Sequence, residues 1–193
     1  MNSVKLSEKF TIYIGQHDKK HSIDEFLKFV ELNDKLATHT NDDSVWVEIE
    51  VECFQSINSY IKNQIEKITG RKFVNYAQHY WVYTQKKGFN LEWMHQHIQV
   101  HPPGRSNILS DYTFTFYLQM NDEVTSDEGS LVFEDENKVK HTFYPKVGDI
   151  FIFPGDIRHC PMPTPNSDKK RIVYAGSLCI DITNQKKVEK KTI

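Results

Sequence analysis

Up to Gly70 the apolar residues recur mostly every three or four positions, and beyond it they alternate or bunch into short runs. Ser22-Ile23-Asp24-Glu25 has the capping-box form, and Phe26, Phe29, Val30 and Leu36 follow it on one side, predicting a first helix. Trp46, Ile49, Cys53, Phe54, Ile57, Ile61, Ile65 and Ile68 predict a second, longer helix. It would start near Asp43 or Ser44 and stop at Gly70, although Val45, Val47 and Val51 dilute the pattern at its start. Phe10 to Ile14 alternates and predicts a short outer strand.

After Gly70 the predicted strands are Phe73–Tyr83, Leu91–Val100, Asp111–Gln119, Ser130–Glu134, His141–Tyr144, Asp149–Phe153 and Arg171–Ile182. Turn signals at Lys87-Gly88, Asn121-Asp122, Glu128-Gly129 and Asn137-Lys138 separate them. Helices followed by many short strands predict a mainly β protein, a jelly-roll-like barrel or sandwich with N-terminal helices packed on its sheet. A chain of 193 residues suffices for one such core. The expected organisation is a single domain, with 1–70 as helical support, 71–182 as the β core and 183–193 as a basic tail.

Composition narrows the setting. A hydrophobic fraction of 38% with 12% aromatics fits a globular protein, and a net charge of −2 gives no field to recruit nucleic acid or an anionic membrane. Lys186 to Ile193 holds four lysines and one glutamate, which reads as a solvated tail or, alternatively, a contact for a partner. Cys53, Cys160 and Cys179 show no metal-type spacing, so a reducing compartment is expected. The N-terminus has no apolar signal core and no segment approaches a membrane span, which together predict a soluble cytoplasmic protein.

Two segments carry candidate chemistry. His95-Gln96-His97 places two imidazoles at i and i+2, on one face of an extended strand. Gly148 to Phe153 is an apolar strand, Pro154-Gly155 a sharp turn, and His159 emerges just beyond it, 64 residues after His95. These three histidines would close a metal site, and Arg171, twelve residues further on, would hold an acid beside it. On Asp111–Gln119, Asp111, Thr113, Thr115 and Tyr117 share one parity, and Phe114, Phe116 and Leu118 the other. A hydroxyl-rich face inside a small barrel is costly unless it binds something, although Tyr117 bonded to backbone is the plainer alternative. His17, His21, His39 and His79 carry no assigned role, and His141 reads as structural.

The stretch from about Tyr80 to Asp181 resembles the 2-oxoglutarate- and Fe(II)-dependent oxygenases, nearest to the prolyl-hydroxylase-like group and its phage-associated relatives. The resemblance rests on Tyr83 leading to Gly88, on His95-Gln96-His97, and on Phe114 to Leu118. It continues through Glu128 to Phe133, Gly148 to His159, and Arg171. It implies a double-stranded β-helix of the jelly-roll or cupin type, with Fe(II) held by His95 and His159. It also implies 2-oxoglutarate as co-substrate, its distal carboxylate on Arg171 and the Tyr117 hydroxyl. The implied reaction consumes dioxygen and couples oxidative decarboxylation of 2-oxoglutarate to substrate oxidation, most often hydroxylation, of a small-molecule or peptidyl substrate. Apart from the metal ligands it requires no catalytic residue.

The chain departs from that family at His97, where the pattern has Asp or Glu. Three arrangements follow: His97 as the third ligand, a third position without a protein ligand, or Asp111 supplying a carboxylate, with Glu92 disfavoured by its opposite parity. A cupin-type three-histidine dioxygenase that does not use 2-oxoglutarate is the rival within the same architecture. There His101 stands where the first cupin motif has Glu, and Asp156 where the second has Gly. A non-catalytic β-barrel binding module is the third alternative. The Gln99–Asn107 segment reads as a loop overhanging the mouth or, equally, as an idle surface loop.

Overall fold

Lys20–Asn33 forms α1 and Glu52–Thr69 forms α2 in the computed structural model. The structure describes residues 1–17, 20–33, 44–45, 52–70, 72, 79–85, 94–97, 112–164 and 168–178. Helix α1 begins two residues before Ser22, so Ser22 lies in its first turn and is not its cap. Ile23, Phe26 and Val30 bury one side of α1, and Phe54, Ile57, Ile61 and Ile65 bury one side of α2. The expected start of α2 near Ser44 is wrong. Ser44–Val45 is instead a short strand, β3, consistent with the preference of β-branched residues for a pleated surface. The other end is as expected: Gly70 has φ +66° and its N–H reaches the Glu66 carbonyl, a left-handed helix stop.

The remaining strands are β1 (Asn2–Lys5), β2 (Thr11–Gln16), β4 (His79–Gln85), β5 (Tyr112–Gln119), β6 (Leu131–Glu134), β7 (Lys140–Phe143), β8 (Asp149–Pro154), β9 (Arg158–Pro161) and β10 (Arg171–Leu178). They form a seven-stranded sheet in the order β1-β2-β8-β5-β10-β4-β3 and a three-stranded sheet in the order β7-β6-β9. Every named pairing is antiparallel. A bridge between His95 and His159 adds the 94–97 segment beside β9. This is a jelly roll braced by helices, as the sequence predicts. Strands β1 and β9 were not predicted, and β2 lies inside the sheet, between β1 and β8, not at its edge.

Alternation along β5 and β10 sorts the core into two layers. Phe114, Phe116 and Leu118 of β5, with Ile172, Tyr174 and Leu178 of β10, pack under the buried faces of α1 and α2. Tyr117 and Val173 belong to the opposite layer, between the sheets, with Leu131, Phe133, Phe151, Phe153 and Ile157. Each such buried side chain contributes about 1.5–3 kcal/mol by leaving water. The Tyr174 hydroxyl also donates to Asn58 Oδ1 at 2.6 Å, fixing α2 on the sheet. Among the described residues no helix is long and apolar enough to cross a membrane.

Gly148 positions the turn into β8. With φ +90°, its N–H donates to the Tyr117 carbonyl and its carbonyl accepts from His17. A Cβ there would sit 2.7 Å from the His17 carbonyl oxygen, so only glycine fits without displacement. His141 is structural as expected. Its Nε2 lies 2.9 Å from Asp135 Oδ2, while Asp135 Oδ1 accepts the N–H groups of Asn137 and Val139 in the β6–β7 turn.

Candidate metal and acid-binding site

His95 and His159 face each other across the two sides of a β bridge. Each backbone N–H donates to the other's carbonyl at 2.9 Å. The next tether holds His97, whose N–H donates to the Gly155 carbonyl at 3.0 Å in the turn before β9. Between them, Gln96 Nε2 donates to the Asp156 carbonyl at 2.5 Å. Both histidine segments are therefore pinned to one turn, and their side chains converge. One ligand atom from each of His95, His97 and His159 lies within 4.8 Å of the others.

The Nε2 atoms of His97 and His159 are 3.2 Å apart. Two nitrogens bound to one metal at about 2.0–2.1 Å and at right angles would stand roughly 3 Å apart, so the spacing suits a shared ion. His159 Nδ1 lies 3.2 Å from the Ile157 carbonyl, which can only accept; the ring is thus a Nδ1–H tautomer, leaving the Nε2 lone pair free to bind. Burial, with His95 close by, lowers the pKa of His97 to about 3. Burial and both neighbouring rings push His159 well below its ordinary value. Near neutral pH both are uncharged imidazoles, the form a metal takes. Phe153 packs against His159 and Trp81 against His97, with ring centroids 4.8 Å and 5.1 Å apart.

Arg171 opens β10 and is completely buried. Its Nη1 donates to the Gly129 carbonyl at 3.0 Å, while Nε and Nη2 have no hydrogen-bond partner among the described residues. Arg171 makes no ion pair among the described residues. Gly129 presents that carbonyl from a φ of +75°, and its N–H is held by Pro163. Tyr83 and Tyr117 lie opposite Val173 from the two flanking strands, on the face that Arg171 shares. The Tyr117 hydroxyl is buried and also lacks a partner. Burial raises the pKa of both phenols, against the opposing pull of the Arg171 cation, so both stay protonated and able to donate. A buried guanidinium edge and a buried phenol on one face have the donor chemistry to bind a carboxylate, and an isolated buried cation is otherwise expensive.

The structure thus brings His95, His97 and His159 to one point and places Arg171 and Tyr117 on one interior face. Asp111, Glu92, His101 and the Gln99–Asn107 segment lie outside the described residues. Tyr83, Trp81 and Gly129 were not assigned to the site from the sequence. The parity of β4 offered Tyr83 and Trp81, whereas Gly129 acts through its backbone, which leaves no side-chain signal.

No family model matches the chain, and no curated protein does. Solved structures do. A viral collagen prolyl hydroxylase from Paramecium bursaria Chlorella virus-1, in complex with 2-oxoglutarate, is 14% identical with a TM-score of 0.61, covering 86% of this chain and 96% of that one. A prolyl hydroxylase of Trichoplax adhaerens, in complex with a hypoxia-inducible-factor peptide fragment, is 11% identical with a TM-score of 0.61, covering 94% and 87%. The non-haem α-ketoglutarate-dependent carbocyclase SnoK of nogalamycin biosynthesis is 12% identical with a TM-score of 0.65, covering 92% and 85%. At these identities the likeness is one of architecture: the chain has the jelly-roll fold found in these 2-oxoglutarate-dependent enzymes.

Proposed function

We propose that this protein is a non-haem Fe(II)- and 2-oxoglutarate-dependent dioxygenase acting as a hydroxylase. The observation that carries the reading is Arg171, fully buried with two guanidinium nitrogens unpartnered among the described residues, on the barrel that also gathers three histidines. Such a cation calls for an anion of matching fork geometry, and the likeness to 2-oxoglutarate-dependent enzymes supports its being that dicarboxylate.

In this reading His95, His97 and His159 hold Fe(II), and bound iron with 2-oxoglutarate supplies the oxidising power for dioxygen chemistry. The chain's own residues orient and exclude. The Nδ1–H bond to Ile157 fixes the His159 ring, the Gly155 carbonyl holds the His97 backbone, and the Asp156 carbonyl holds the Gln96 side chain. Arg171 and Tyr117 bind the distal carboxylate, and the apolar wall of Phe133, Phe151 and Phe153 keeps water out. Three neutral imidazoles leave Fe(II) with the dianion formally neutral, one negative charge fewer than with a carboxylate ligand. The substrate is a small molecule or a peptidyl side chain. The setting is reducing and cytoplasmic, in keeping with the buried free thiol of Cys160.

The three-histidine set also favours a second reading, a cupin-type dioxygenase without 2-oxoglutarate. That reading leaves the buried Arg171 unexplained. Succinate formation from 2-oxoglutarate with Fe(II) and dioxygen separates the two. The proposal expects slow succinate release even without substrate, lost in Arg171→Ala. Dioxygen consumption that ignores 2-oxoglutarate would favour the cupin chemistry.

A further inference from the structure

Thr115 has a buried Oγ1 with no hydrogen-bond partner, and the residue is 5% exposed. It precedes Tyr117 by two positions on β5 and so shares its face. Among the described residues, no hydrogen bond of normal geometry joins the two hydroxyls or ties either one to another group. Its neighbour Thr113 differs, because that hydroxyl lies 3.5 Å from the hydroxyl of Ser177. Opposite Thr115 on β10 is Ala175, a small side chain. A valine would occupy the same volume without burying an unsatisfied hydroxyl.

An ionised carboxylate offers about four lone-pair sites. Among the described residues, the unpartnered buried donor atoms on this face are Arg171 Nε, Arg171 Nη2, the Tyr117 hydroxyl and the Thr115 hydroxyl, which match that number. We propose that Thr115 is a further co-substrate-binding residue, its hydroxyl donating to the carboxylate held by Arg171 and Tyr117. The inference rests on the dicarboxylate reading above and completes that site's hydrogen bonding.

The test compares Thr115→Val, Thr115→Ser, Arg171→Ala and a control, Thr84→Val. Thr84 also buries an unpartnered hydroxyl, but it shares the parity of Val82 and faces the helices. The measurements are thermal unfolding of the metal-free full chain and 2-oxoglutarate binding to the Mn(II)-loaded chain. Both valine variants are expected to match or exceed the wild-type melting temperature, since each removes an unsatisfied buried hydroxyl. Of the two valine variants, only Thr115→Val is expected to weaken 2-oxoglutarate binding, on the order of tenfold, with Thr115→Ser near wild type. Unchanged binding in Thr115→Val together with loss in Arg171→Ala would overturn the role of Thr115 and leave the dicarboxylate reading standing. Unchanged binding in both would overturn the reading and this inference with it.

Discussion

His97 and His159 present their Nε2 atoms to each other at 3.2 Å, although 62 residues separate them in the chain. That approach is made by backbone: the His95–His159 bridge and the His97-to-Gly155 bond bring the two segments together. His159→Ala or His97→Ala should therefore lower Fe(II) affinity by at least about 100-fold, the upper end of what loss of an outer-shell partner costs. His97→Asp should retain iron, since two histidines and a carboxylate also suit Fe(II). Anaerobic titration of the metal-free variants measures both. Unaltered affinity in His97→Ala would remove His97 from the ligand set.

The lowered pKa values of His97 and His159 have a stability consequence. Each folded-state value lies below the ordinary 6.5, so between the two the unfolded chain binds more protons than the folded one. Stability of the metal-free protein should therefore fall as pH drops from about 6.5 towards 3, by up to roughly 1.4 kcal/mol per pH unit for each histidine. Urea unfolding across that range should show the slope, and His97→Gln should flatten it.

Gly129 is expected to matter to the acid site although no side chain is involved. A Cβ would stand 2.6 Å from the Asn121 side chain at a φ of +75°. Gly129→Ala should cost about 1–3 kcal/mol of stability from strain. It should also raise the KM for 2-oxoglutarate more than it lowers kcat, because the Gly129 carbonyl fixes the Arg171 fork. Steady-state kinetics with 2-oxoglutarate varied separates the two effects.

Tyr174→Phe tests the scaffold apart from the site. Removing the hydroxyl leaves Asn58 Oδ1 without this donor beneath α2, and should destabilise the fold by about 1–2 kcal/mol. Iron and 2-oxoglutarate binding should be unchanged, because Tyr174 faces the helices.

Much of this was legible in the chain because the relevant periods are short. The two-residue spacing of His95 and His97 and the parity of Thr115 and Tyr117 each fix a face without knowledge of the partner strand. The placement of Arg171 at the head of its strand was likewise readable from the run that follows it. Strand β9 was not, since Arg158–Pro161 is four residues long, ends in proline and shows no alternation. Nor was β1, whose Asn2–Lys5 run is polar. The early start assigned to α2 failed because Trp46 and Ile49 extend the helical spacing upstream of Glu52, while Ser44–Val45 pairs with Tyr83 and Val82. Long-range strand pairing overrode the local pattern. The grip of Gly129 on Arg171 spans 42 residues through a carbonyl, which no side-chain pattern announces.

The proposed chemistry depends on a buried arginine anchoring a 2-oxo dicarboxylate beside a three-histidine iron. The most direct measurement is anaerobic Fe(II) titration with and without 2-oxoglutarate, following the weak visible charge-transfer band of the chelate. The expected result is a band that requires 2-oxoglutarate and is lost in Arg171→Ala, with iron binding retained. Iron binding with no such band in the unaltered protein would contradict it.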